Sequence, residues 1–369
     1  MAAANQDPVL ILGGGLMGLA IAHQLARRGD PVLVLSRRRS EAAGFVAAGM
    51  LAPHAEGLSG DLLELGQRSL ERIPAWVEQI EADSGLRCGL RPCGIVVPFR
   101  TAAERDAYPT APFGQPLERA DLAREIPGIG EGWQVGLLFA QDGQIDNRRR
   151  LMRALESACV GLGVTFQEGA EVLGLEQDAA GKLQGVRLRT AEGDEQRLAA
   201  SRAVLACGAW SAQLLPELPI APVKGQMLSL QGPREALQRV IFGPGTYLVP
   251  REDGLLVVGA TSEAQAGFNE GLTPAGQRQL QDGIAALLPA ATSWPPMERW
   301  WGFRPCTPDE GPLLGASGIP GLWLAAGHHR NGVLLAAITA ELLAAALSSA
   351  GPDPAQARQL ARFRWDRFR

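Results

Sequence analysis

The chain has 369 residues, 46% of them hydrophobic and 20% charged, with a formal net charge of −4. That length exceeds one ordinary domain, so two are expected, and the apolar share suffices for a large core. The small negative charge argues against nucleic acid as a partner, and five cysteines without a C-x-x-C pair fit a reducing cytoplasm better than disulfides or zinc.

No basic leader precedes the first apolar run, which argues against a signal peptide. The longest late apolar stretch, 333–347, carries Glu341 and is too short to span a bilayer. The expected setting is the cytoplasm, without a membrane span.

The chain opens on its sharpest pattern. A short apolar run, Val9–Leu12, meets Gly13, Gly15 and Gly18 at the spacing G-x-G-x-x-G. A helix-like stretch then leads to Gly29-Asp30-Pro31 and a second apolar run, Val32–Leu35. Strand, glycine turn, helix and strand in that order suit a dinucleotide. Gly13 permits the tight turn, Gly15 lets the backbone approach a pyrophosphate, and Gly18 lets helix and strand pack closely. Leu16 and Met17 open a helix whose free N–H groups and dipole favour phosphate.

The second strand ends differently from the usual pattern. A carboxylate there accepts from both ribose hydroxyls. Here the residue is Ser36, a weaker partner, followed by Arg37-Arg38-Arg39. A basic run at this point suits the 2′-phosphate of NADP; a solvated, charged loop is the more ordinary reading.

Residues 41–56 are rich in Ala and Gly and nearly uncharged between Glu41 and Glu56. Small residues there let backbone come close to a ligand or to another backbone. Residues 61–83 read as a polar-faced helix. Residues 84–140 are mixed, with a Val-Val-Pro run at 96–98 that predicts a short strand outside the nucleotide core. Residues 148–163 read as helix and 164–200 as strands and turns. Arg202–Trp210 reads as a buried strand ending in Gly208, with a helix after it.

Residues 223–262 read as antiparallel sheet, clearest where Asp253-Gly254 joins two apolar runs. A helix is expected over 272–290, a last core strand over 321–326, a loop over 327–332 and a helix over 333–347. The arginine-rich tail, 358–369, reads as a surface helix. The fold class is α/β: a Rossmann-like nucleotide-binding domain interleaved with a domain built on a mixed, largely antiparallel sheet. The expected division gives 1–75, 141–215 and 300–369 to the nucleotide and 76–140 and 216–299 to the substrate.

Further motifs follow in order: Ala47–Leu51, Leu205–Trp210, Tyr247–Arg251, Gly259–Thr261, Trp301–Pro305, Thr307–Asp309 and Gly327–Gly332. With the glycine turn, they resemble the flavin-dependent amino acid oxidases related to D-amino acid oxidase. Within that family they are most similar to the glycine oxidases that supply dehydroglycine to thiamine thiazole synthesis. The resemblance covers nearly the whole chain. It implies FAD, a small amino acid substrate and molecular oxygen, with oxidative deamination through an imine to glyoxylate and hydrogen peroxide. It also implies a thiazole synthase downstream and a homo-oligomer. A sarcosine or D-amino acid oxidase or dehydrogenase on the same scaffold is the alternative, and an NADP-dependent reductase using Arg37–Arg39 a more distant one.

The chain departs from the family at Ser36 and at Ala43–Val46, where relatives often carry hydroxyls. By the resemblance, the cofactor meets Gly13, Gly15, Leu16, Met17, Gly18, Ser36, Arg37, Ala43, Gly44, Ala48, Gly49, Met50, Val172 and Gly208. It also meets His328, His329, Arg330, Asn331, Gly332, Val333 and Leu334. Cys306 directly precedes Thr307, a register unlike the flavin attachment site of monomeric sarcosine oxidases, so FAD is expected to be non-covalent.

Three residues are candidates for the chemistry. Arg304 lies between Trp301, Phe303 and Pro305, an apolar setting in which a guanidinium needs an anionic partner. By resemblance it clamps the substrate carboxylate with its planar fork; a structural salt bridge is the alternative. In a strand, Tyr247 shares a face with Val249 and Arg251. By resemblance its hydroxyl helps hold the carboxylate; ordinary packing is the alternative. Arg330 matches a position near the substrate, and it could equally face solvent. The loop that carries it points a helix N-terminus at the isoalloxazine. His328 and His329 lack the neighbours of a metal site and are read as packing or hydrogen-bonding residues. His54 is placed where it could approach the ring.

Overall fold

The strand Val9–Leu12 is buried at every position, as a central strand of a parallel sheet must be. It pairs in parallel with Val32–Ser36 on one side and Ala203–Leu205 on the other. The computed structural model, which describes residues 7–369, extends this sheet to six strands. Residues 1–6, part of the first expected segment and of the stretch read for a leader, lie outside the described residues. The strand order is Leu313–Ala316, Leu322–Ala326, Ala203–Leu205, Val9–Leu12, Val32–Ser36 and Thr165–Glu168, with only the first antiparallel to its neighbour.

Alternation along the first strand decides what covers each face. Val9 and Ile11 pack with the helices Leu16–Arg27, Gly60–Ser84, Met152–Gly161 and Gly332–Ala346. Leu10 and Leu12 pack with Leu183, Val186 and Leu188 of a three-stranded antiparallel sheet on the other side.

A second large sheet has eight strands, in the order Pro296–Cys306, Ala221–Gln231, Leu255–Gly259, Thr246–Pro250, Val240–Gly243, Ile95–Phe99, Val135–Phe139 and Gln115–Leu117. All pairs are antiparallel except Val240–Gly243 with Ile95–Phe99. One face carries the helix Pro274–Leu287, through Leu280, Ile284 and Leu287. That helix starts where Thr273 accepts from the Gly276 N–H with Pro274 in the first turn, two matched start signals. The opposite face packs on Ala48, Ala52 and Ala55. The small-residue segment thus lies between the two large sheets.

The hairpin turn at Asp253-Gly254, the strand at 95–99 and the late helix stand where the sequence places them. Other expectations need correction. The helix expected at 148–163 opens with a wider π turn, Asn147–Leu151, which brings the Asn147 amide onto the Gly44 carbonyl. The strand Pro296–Cys306 runs across the expected boundary at 300, so the eight-stranded sheet presents Arg304. The tail is a surface helix only as far as Arg362; beyond it the chain turns at Trp365–Phe368 and docks. The Phe363 carbonyl accepts from Leu314 N–H at 2.9 Å, and Arg367 pairs with Asp309 at 2.8 Å. It thereby covers the edge strand Leu313–Ala316, which would otherwise present unpaired backbone. The five cysteines are free. Among the described residues no helix is long and apolar enough to cross a membrane.

Candidate active site

A cleft of about 400 Å³ runs between the two large sheets. One end lies at the carboxyl ends of Val9–Leu12 and Val32–Ser36, where a doubly wound sheet offers its ligand site. Gly13 has φ 115°, and a Cβ there would stand 2.4 Å from the Ala206 carbonyl oxygen. A Cβ on Gly18 would stand 1.9 Å from the Gly13 carbonyl oxygen. Helix Leu16–Arg27 starts at Gly15 without a side-chain cap, which leaves its first N–H groups for a ligand. Leu16, Met17, Ser36, Ala43, Gly44, Ala48, Gly49, Met50, Val172 and Gly208 also line the cleft.

The arginine run is not free to meet a 2′-phosphate. Arg37 pairs with Glu41 at 3.1 Å and Glu171 at 3.2 Å, and lies 5.6 Å over the Trp210 ring. Arg38 pairs with Glu41 at 2.9 Å, and Arg39 with Glu156 and Glu168 at 2.7 Å each. The positive charge that NADP needs is already neutralised.

The other end of the cleft gathers Tyr247, Arg304 and Arg330. Arg304 Nη1 donates to the Thr261 carbonyl at 3.0 Å. The Thr261 hydroxyl donates to Glu263 at 2.5 Å and accepts from the Gln226 N–H at 2.9 Å, which fixes that carbonyl. Among the described residues no carboxylate lies within 4.0 Å of the Arg304 guanidinium, so the structural salt bridge is not made. Arg304 and Tyr247 each lie over a glycine of the neighbouring strand. A Cβ on Gly225 would be 2.4 Å from Arg304 Nη1, and one on Gly259 would be 2.5 Å from the Tyr247 ring. Burial pushes the Tyr247 phenol above its ordinary pKa, while Arg304 draws it down. Arg330 is half-exposed; it pairs with Glu56 at 3.1 Å and lies 5.7 Å over Phe242.

Arg251 does not join Tyr247 in the cleft. It is buried, and its guanidinium donates to the Ala48 carbonyl and the Gln144 amide oxygen, fixing the small-residue segment. His54 is likewise turned away. Its Nδ1 meets Asp142 at 2.6 Å, its Nε2 meets Gln67 at 3.0 Å, and its ring stacks on Phe139.

His328, His329, Arg330, Gly332 and Val333 line the cleft, and the N-terminus of Gly332–Ala346 opens there. His329 adopts φ 44°, held by its N–H on the Pro305 carbonyl at 2.8 Å. Gly18, Asn331 and Leu334 do not line it. Gly18 sits in the helix–strand contact, and Asn331 closes the loop through bonds to His328 and Leu335. Leu334 points into the core beside Gly66, and its carbonyl accepts from Ser69.

Burial pulls the His328 pKa down to about 3; its Nε2 faces the Thr339 hydroxyl at 3.0 Å. Burial, with Arg304 and Arg330, brings His329 to about 4. An unfolded histidine titrates near 6.5. Between that value and about 3, the unfolded chain binds a proton that folded His328 refuses. This contribution is intact above pH 6.5 and is lost as pH falls, at about 1.4 kcal/mol per unit. Denaturant unfolding at pH 7, 6 and 5 should therefore give a shallower acid slope for His328→Asn than for the wild type. Parallel slopes would contradict a neutral buried His328.

Several lining residues escaped sequence reasoning. Glu56, Gly225, Met227 and Trp210 all face the cleft. The isolated glycines inside strand runs were the available signal for close approach; Glu56 showed only as the charge closing an uncharged segment.

Fold and cleft together have the form of a dinucleotide-dependent oxidoreductase. The FAD dependent oxidoreductase (DAO) family matches residues 8–346. The bifunctional protein ThiO/ThiG of Synechocystis sp. (strain PCC 6803) is 44% identical over 343 residues, covering 91% of this chain and 50% of that protein. The glycine oxidase of Pseudomonas aeruginosa is 32% identical over 364 residues, covering 95% and 97%. The crystal structure of glycine oxidase from Geobacillus kaustophilus superposes with a TM-score of 0.87 at 30% identity, covering 99% of both chains. The chain spans about half the length of the bifunctional relatives it matches. It belongs to the FAD dependent oxidoreductase family, and its cofactor is FAD. The bare helix start, the glycine cradle and the neutralised arginines fit that group.

Proposed function

We propose that the chain oxidises glycine, or another small or N-substituted amino acid, to an imine that water hydrolyses to a 2-oxo acid (glyoxylate from glycine) and ammonia or an amine, with oxygen reduced to hydrogen peroxide. The observation that carries this is Arg304: a guanidinium laid across Gly225, facing the cleft beside Tyr247, with a backbone carbonyl but no carboxylate as partner. Such a group is completed by a substrate carboxylate. FAD, when bound, would supply the two-electron oxidising chemistry and the route to oxygen. The chain supplies position. Arg304 and Tyr247 hold the carboxylate, and the Thr261 carbonyl holds Arg304. Gly13, Gly15, Leu16, Met17 and Ser36 hold the adenosine and pyrophosphate end. Ala43–Gly44, Ala48–Met50 and the His328–Val333 segment hold the reactive end, where a helix N-terminus favours negative charge.

The names of the P. aeruginosa and G. kaustophilus relatives support glycine as substrate. The paired ThiO/ThiG name supports a role in thiamine thiazole synthesis with a thiazole synthase downstream. A cytoplasmic setting, supported by the five free cysteines, and a homo-oligomer complete the reading. The division into an FAD-binding part (1–75, 141–215, 300–369) and a substrate part (76–140, 216–299) is supported by sheet membership, with Pro296–Cys306 shared across the boundary.

The purified protein should be yellow, and glycine added without oxygen should bleach it. Sarcosine and D-alanine in the same titration separate the alternatives. Acid precipitation should leave a colourless pellet, because no covalent bond holds the flavin. Failure of every small amino acid to bleach the flavin would overturn the assignment.

A further inference from the structure

Three glutamates line the cleft among the described residues. Glu41 and Glu171 belong to the adenosine end, where both hold Arg37. Glu56 alone stands at the substrate end, with Arg304, Tyr247 and Arg330. Its side chain is 7% exposed, and Arg330 meets it at 3.1 Å. Burial, with Asp142 and Glu310, raises its pKa above the ordinary carboxylate value, and Arg330 and Arg304 offset only part of that rise.

The backbone around Glu56 is fixed from several sides. Asp142 accepts from the N–H groups of His54 at 3.2 Å and Ala55 at 2.8 Å. The Tyr108 hydroxyl donates to the Ala55 carbonyl at 2.6 Å, and the Thr110 hydroxyl to the His54 carbonyl. The His54–Asp142 pair, which faces away from the cleft, is thus the anchor of a carboxylate that faces into it.

An amino acid arriving on Arg304 brings a second charge. Its ammonium group enters a pocket holding two guanidinium groups, Arg304 and Arg330. Positive charge there is repelled unless an acid answers it. We propose that Glu56 is the ammonium-recognition residue of the site. The carboxylate of the substrate goes to Arg304 and Tyr247 and its ammonium to Glu56, so the pocket selects amino acids over plain carboxylates of the same shape. This rests on Arg304 as the carboxylate clamp. Arg330 pairs with the Glu56 carboxylate and holds it in place at the mouth of this pocket.

Glycine and propionate form the informative pair, because propionate carries a methyl group where glycine carries ammonium. In the holoenzyme, glycine affinity is read from the concentration dependence of anaerobic bleaching. Propionate affinity is read from the shift of the flavin absorbance band. Glu56→Gln should weaken glycine by about ten- to a hundredfold, the worth of a hydrogen bond between charged groups. It should leave propionate unchanged, and Glu56→Asp should recover part of the glycine affinity. Equal weakening of both ligands would make Glu56 a mere support of the arginines and overturn the proposal; so would unchanged glycine binding. The wild type provides a check that needs no variant: propionate binding tighter than glycine also overturns it. Failure of the clamp has its own signature, an Arg304→Ala enzyme with undiminished glycine affinity.

Discussion

Arg304→Ala should raise the KM for glycine by roughly 30- to 3000-fold while the flavin-to-protein ratio stays that of the wild type. The estimate comes from removing one partner of a desolvated charged pair, which costs about 2–5 kcal/mol, at about 1.4 kcal/mol per tenfold. The loss is concentrated in one residue because Arg304 has no carboxylate of its own and donates instead to the Thr261 backbone carbonyl. FAD is retained because the glycine turn and the helix starting at Gly15 lie at the other end of the cleft. Arg304→Lys should rescue little, since an ammonium offers a point charge where a fork is needed. Steady-state kinetics beside the visible spectrum test both halves. An unchanged KM would remove Arg304 from the substrate site.

Gly18→Ala should yield a destabilised protein that does not retain FAD. The added carbon would stand 1.9 Å from the Gly13 carbonyl oxygen, a backbone atom that cannot swing aside. Relief requires the helix Leu16–Arg27 to move off the strand end, and with it the N–H groups offered to the pyrophosphate. Overpacking of this kind costs about 1–3 kcal/mol, and more where backbone must shift. Gly29→Ala is the control. Gly29 has φ 85° but nothing within 4 Å of an added Cβ. That change should cost only about 1–2 kcal/mol of backbone strain and spare FAD binding. Denaturant midpoints and flavin content separate the two; a yellow Gly18→Ala protein would show that the helix start is not the cofactor cradle.

Local signals in the sequence carried far. The glycine turn, the Asp253-Gly254 hairpin and the apolar helix after residue 332 are each written in a few neighbouring residues, and each stands where expected. What escaped was set by distant partners. Arg37 reads as a free cation until Glu171, 134 residues away, is brought beside it. Pro296–Cys306 reads as the start of the last nucleotide segment until its pairing with Ala221–Gln231 shows which sheet owns it. His54 reads as a residue near the ring until Asp142 claims it. Glu56 carries no motif at all; its meaning comes from the two arginines that the fold sets around it.

The interleaved strand order also bears on how the protein is made. Val9–Leu12 finds one neighbour within the next 25 residues, yet its other neighbour, Ala203–Leu205, follows almost two hundred residues later. Leu322–Ala326 completes that side, and the helix lining the reactive end runs to Ala346. A nascent chain on the ribosome therefore holds the opening strand and glycine turn without the partners that bury them until nearly all of these segments have emerged. Sequence-distant pairings of this sort slow folding and leave apolar surface uncovered in the meantime. Flavin capture becomes a late event of biogenesis, and truncation before residue 322 leaves a polypeptide that cannot close its central sheet.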